Sequence, residues 1–89
     1  MKTIYKYPFR PTDRIVIDMP EGAEILCVQM QHGTPQVWAV VNPDAMPKAR
    51  VLCLRGTGHA MKGNEGHYVG TFQMDGGMLV FHLFEAVQS

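Results

Sequence analysis

Apolar and polar residues alternate along most of this chain with a period of two, which is the pattern of strands with one face toward a core. Lys2 to Tyr7 sets Lys2, Ile4 and Lys6 against Thr3, Tyr5 and Tyr7, and Pro8 and Pro11 end the run. Arg14 to Met19 alternates again, with Ile15 and Ile17 opposite Arg14, Val16 and Asp18, until Pro20-Glu21-Gly22 turns the chain. Ala23 to Gln31 places Leu26, Val28 and Met30 on one face and Ile25, Cys27 and Gln29 on the other. Gln36 to Asn42 is almost continuously apolar and β-branched, and the short link His32-Gly33-Thr34-Pro35 makes the two runs a hairpin.

Pro43 to Ala49 reads as a crossover loop, because Pro47 would interrupt a helix there. Strand character resumes over Arg50 to Arg55, and Gly56 to Gly66 then holds four of the nine glycines, too many for a regular element. This stretch is expected to be the most mobile ordered loop. His67 to Met74 and Met78 to Glu85 form a second hairpin around Asp75-Gly76-Gly77, and Val87 to Ser89 reads as a fraying tail. Seven short strands without an amphipathic helix predict one all-β domain over residues 1–89, a small antiparallel sandwich or open barrel. The alternation predicts a core of Leu26, Val28, Trp38, Val40, Leu52, Leu54, Phe72, Leu79, Phe81 and Leu83.

Length and charge narrow the function classes. Eighty-nine residues leave room for one core, and 46% hydrophobic with 18% charged residues is a globular composition. Eight basic residues balance eight acidic ones, so no overall field draws nucleic acid, and binding to it is not expected. The start MKTIYKYPFRPTD has no apolar run of signal-peptide length and no segment suits a membrane span, which points to a cytoplasmic protein without a membrane partner. Cys27 and Cys53 lie in apolar runs and not in a CxxC pair, as buried free thiols do. Ile25, Val37, Val41, Val51, Val80 and Phe84 leave more apolar surface opposite that core than one thin sandwich covers, so a homo-oligomer is expected.

One segment has chemistry suited to a ligand. Around Gly56 and Gly58, the residues Arg55, Thr57, His59 and Lys62 combine backbone amides free to approach an anion with side chains that attract one. Arg55 and Lys62 are taken as exposed charges that contribute little to folding. Neither a Walker loop nor a dinucleotide fingerprint is present, so the segment also reads as a plain glycine-rich connection. His32, His59, His67 and His82 lack metal-ligand spacing, and His82, alternating in an apolar run, reads as a hydrogen-bonded sheet residue. No GxSxG elbow occurs, and the carboxylates fall mainly at turns and strand ends. Trp38 reads as a core or interface anchor. Nothing here builds a catalytic constellation or a cofactor site.

The stretches YKYPFRPTD, MPEGAEIL, QHGTPQVWAVV, RGTGH and GTFQMDGGMLVFHLFE together resemble small proteins encoded by bacteriophages and prophages. The likeness runs from Lys2 to Glu85 and implies a phage origin and expression in the cytoplasm of an infected bacterium. It brings no catalytic residue with it. Small size, the missing catalytic constellation and the resemblance lead to an expected non-enzymatic binding protein with a host protein as partner, an inhibitor of an anti-phage defence system. The alternative expectation is a protein that sequesters a nucleotide or other anionic small molecule through residues 55–66, and the third is an accessory or structural component of the virion.

Overall fold

Inward and outward residues alternate along seven strands, which lie in two antiparallel sheets. The computed structural model describes residues 1–87. The strands are β1 (Thr3–Pro8), β2 (Arg14–Pro20), β3 (Glu24–Gln31), β4 (Thr34–Val41), β5 (Pro47–Gly56), β6 (His67–Met74) and β7 (Leu79–Glu85). One sheet has the order β1-β4-β3 and the other β2-β5-β7-β6. The domain measures 40 × 32 × 16 Å, and the short dimension fits two layers about 10 Å apart, a sandwich. The last part of the expected tail, residues 88 and 89, lies outside the described residues. Among the described residues no helix is long and apolar enough to cross a membrane.

Local chemistry accounts for the connections. His32 and Gly33 both have positive φ, as the turn of a two-residue hairpin needs, and they join β3 to β4. The β6–β7 link is one 3-10 turn over Asp75–Gly77, also at positive φ throughout. Pro47 stands at the first position of β5, where a missing N–H is tolerated, so that strand begins earlier than its apolar run. The turn Glu21 to Ala23 carries the chain from one sheet to the other.

The core joins both inner faces: Ile15 and Met19 from β2, Val28 from β3, Val37, Ala39 and Val41 from β4, Leu52 and Leu54 from β5, Phe72 from β6 and Leu83 from β7. Phe9, between β1 and β2, closes one side with its ring edge-on to Phe72 at 5.9 Å.

Half of the expected core is in place, and the exceptions have causes. In β4 the inward set is Val37, Ala39 and Val41, so Trp38 and Val40 face outward and are only half-buried. Both faces of that strand are apolar, and alternation alone cannot choose between them. In β3 the register shifts between Ile25 and Cys27, so Leu26 is an extra residue, 44% exposed, with Ile25 and Val28 inward on either side of it. Leu79 has the parity of Leu83 but sits at the strand's open end and is 48% exposed. Phe81 is half-buried against Phe72.

Candidate functional site

The candidate segment owes its length to topology. β5 and β6 both run antiparallel to β7, which lies between them, so the chain leaving β5 at Gly56 must return along the sheet before β6 starts. Parallel strands in one sheet need such a crossover, usually helical. Here ten residues, 57–66, do it as an irregular strap over the outer face of β5. Gly66 makes the final crossing at the end of β7, where a Cβ would lie 2.0 Å from the Glu85 carbonyl oxygen and φ is +98°. Only glycine fits there.

The strap is tied down by a carboxylate that lies inside it. Glu65 is buried, and its carboxylate accepts from Arg55 Nε at 2.9 Å, from the Lys62 amide at 2.7 Å and from the Gly63 amide at 3.0 Å. The Lys62 amide bond is the chief reason its carboxyl is held below the usual carboxylate range, against an upward push from burial. The Glu65 carbonyl also accepts from Cys53 Sγ at 3.7 Å, and burial pushes that thiol's pKa up. Cys27 and Cys53 are both free and half-buried on outer faces.

The expected anion-binding groups are therefore distributed differently from a phosphate cradle. Arg55, with its side chain 15% exposed, is paired with Glu65, which corrects its expected role as an exposed charge. The backbone amides of Lys62 and Gly63 are held by the same carboxylate, and Lys62 itself is an exposed residue. Thr57 hooks the start of the strap onto β7, its amide donating to the Val80 carbonyl at 3.0 Å. Gly58 turns the chain at φ +88°, and the His59 amide then donates to the Gly56 carbonyl at 3.0 Å while its ring lies against Gly56.

Thr57 also reaches His82. Its Oγ1 lies 2.8 Å from His82 Nε2, Thr71 Oγ1 lies 2.9 Å from His82 Nδ1, and the Tyr68 hydroxyl meets Thr71 at 2.5 Å. His82 is thus a hydrogen-bonded sheet residue, with both ring nitrogens taken by threonine hydroxyls. This row fixes strap, β7 and β6 together across the outer face.

Between strap and β7 lies a hollow of about 330 Å³, lined by Gly56, Thr57, His59 and Met78 to Phe81. Its size is at the small end of ligand pockets, and its walls are apolar apart from the Thr57 hydroxyl and the His59 imidazole. Met78 and Leu79 on its rim are 82% and 48% exposed, and Met61 on the strap is 57% exposed. The hollow thus joins Thr57 and His59, expected as ligand contacts, to Met78 and Leu79, which no motif marks, and leaves Gly58, Arg55 and Lys62 outside its lining. Glu65 was equally hidden in the sequence, where its only signal is a lone acid three residues after Lys62 in a glycine-rich loop.

Over residues 1–89 the chain matches the family described as Domain of unknown function (DUF7352), and it belongs to that family. No curated protein and no solved structure matches it.

Proposed function

We propose that this chain is a non-enzymatic binding protein of phage origin that acts in the cytoplasm of an infected bacterium by docking on a host protein and inhibiting it, a component of an anti-phage defence system being the class of target. The observation that carries the reading is the apolar hollow beside Thr57 and His59, whose rim residues Met78 and Leu79 are left in solvent. Methionine is over-used at surfaces that adapt to a partner, and a hollow of this size takes one apolar side chain of that partner as an anchor. The resemblance of the chain to small phage proteins supports the setting. Sequestration of a nucleotide has less support, since the Arg55 guanidinium and the Lys62 and Gly63 amides already hold Glu65.

The test compares capture from a host lysate by the immobilised protein and by its Leu79→Asp and Met78→Asp variants. A specific host protein retained by the wild type should be lost from both variants, with melting temperatures within about 3 °C of each other. Undiminished capture by the variants would exclude the hollow as the docking place. A nucleotide released from the denatured protein, and absent from a Lys62→Ala preparation, would replace this reading with sequestration.

A further inference from the structure

The end of the sandwich where β2 turns into β3 carries charge at core-facing positions. On β5, Lys48 and Arg50 have the parity of the buried Leu52, and they pair with Met19 and Ile17 of β2. On β7, Glu85 has the parity of the buried Leu83, and it pairs with His67 of β6. Core parity calls for apolar side chains at such places. Here it ends in a cavity of about 530 Å³, lined by these four residues, by the turn Glu21 to Ala23 and by Ala86.

Arg50 is held rigidly in this cavity. Its Nε and Nη2 donate to the two Glu85 oxygens, and its Nη1 donates to the Ala23 carbonyl. The turn that offers this carbonyl is itself tied, by the Glu21 amide on the Met46 carbonyl at 2.8 Å and the Ala23 amide on the Pro20 carbonyl at 3.0 Å. A guanidinium has five N–H groups, so one on Nη1 and one on Nη2 have no protein acceptor among the described residues. The same contact compensates the Glu85 charge, and Lys48 and His67 make no ion pair among the described residues.

We infer that this cavity binds a small organic dianion, a phosphate monoester or a dicarboxylate, with its anionic group on the spare Arg50 N–H groups and the Lys48 ammonium. The His67 imidazole stands beside them as a further donor. A planar guanidinium already fixed in place loses little freedom when it takes an oxyanion. Two charges on the ligand answer Arg50 and Lys48 together, whereas a monoanion answers one of them. The volume lies within the range of ligand sites, with room for an organic body against Ala86, whose amide is tied to the Val51 carbonyl at 2.9 Å. Glu21, exposed on the turn, is the lining carboxylate without an ion pair among the described residues, and it weighs against anions of higher charge. The hollow beside Thr57 lies at the Gly56 end of β5 and the Leu79 end of β7, and this cavity lies at their other ends. No residue is shared, so the inference stands apart from the proposed function.

Calorimetric titration of the full chain with ribose 5-phosphate, succinate and acetate tests it, with amide NMR shifts to place the ligand. At least one dianion should bind with a dissociation constant below about 1 mM, and the tighter of the two names the anionic group. Acetate should bind at least about tenfold more weakly. Shifts should fall on Gly22, Ala23, His67 and Ala86 and spare Thr57 to His59. Lys48→Glu should weaken the dianion at least about tenfold, since it replaces attraction with repulsion, and Glu21→Gln should tighten it. Lys48 and Glu21 are both exposed, and circular dichroism melts confirm that their variants keep the fold. Leu79→Asp, which tests the hollow, should bind the dianion as the wild type does. Neither dianion binding up to about 10 mM, acetate binding equally well, or unchanged affinity in Lys48→Glu would overturn the inference.

Discussion

Arg55 and Glu65 close the glycine-rich strap on itself: the guanidinium Nε donates to the carboxylate at 2.9 Å, with the side chains only 15% and 3% exposed. The carboxylate supplies from within the anion that the Lys62 and Gly63 amides bind. Arg55 is therefore a structural residue, and its substitution by alanine should leave Glu65 short of a partner and lower the melting temperature.

The same site makes stability depend on acid. The Glu65 carboxyl is held below its ordinary value of 4.5 in the folded chain, so its contribution is fully present above that value. It is lost as pH falls through the lower, folded value, when the unfolded chain is already protonated and the folded one follows. Melting temperature followed from about pH 7 to about pH 3 should fall more steeply for the wild type than for Glu65→Gln. Equal slopes would show that the carboxylate does not hold the strap.

A second ion pair ties β5 to the end of β7, beside the Gly66 crossing. Arg50 donates from Nε and Nη2 to the two Glu85 oxygens at 2.5 and 3.0 Å, and from Nη1 to the Ala23 carbonyl at 2.7 Å. Both side chains are about one-sixth exposed or less, so the pair is worth more than a surface pair and less than a fully buried one. Glu85→Ala strands a three-bonded guanidinium and should cost about 1 to 3 kcal/mol by urea unfolding. A loss within error of zero would place the pair among surface salt bridges.

These two sites show where sequence pattern stops. Period-two alternation is sufficient for β2, where Ile15, Ile17 and Met19 do face inward, because that strand has one polar side. In β4 Val37 to Val41 is apolar on both sides, and the inward set is decided by long-range pairing with β1 and β3. The Leu26 bulge flips parity within β3 without any glycine or proline to announce it. The strap's glycines were visible, but its purpose was not, since a crossover from β5 to β6 past β7 exists only once the strand order is known. Glu65 acquires its partners through the same crossover.

The β7 parity gives a stability contrast within one strand. Leu83 is fully buried and Leu79, four residues earlier on the same face, is 48% exposed. Leu83→Ala should cost about 2 to 5 kcal/mol, whereas Leu79→Ala should cost less than about 1 kcal/mol. Denaturant midpoints measured side by side decide it. Similar losses would mean that the rim of the hollow is part of the core.

The two sheets come close together at Gly70. A Cβ added there would lie 2.8 Å from Val28 Cγ1, closer than real Cβ contacts, and the obstacle is a short, branched side chain with little room to move. Val28 is itself buried and sits just past the β3 bulge, while Gly70 sits just past the register shift of β6. Both edges bend at this point, and the missing side chain lets them meet. Gly70→Ala should therefore destabilise the domain even though its backbone asks for no positive φ, which separates a steric effect from a conformational one. Val28→Ala removes the obstructing methyl and opens a small cavity, so each single variant is less stable than the wild type. Because the added methyl occupies part of the space vacated, the double variant should be more stable than the sum of the single losses, by about 0.5 to 3 kcal/mol in a double-mutant cycle. Strict additivity would show that the sheets do not touch through this pair.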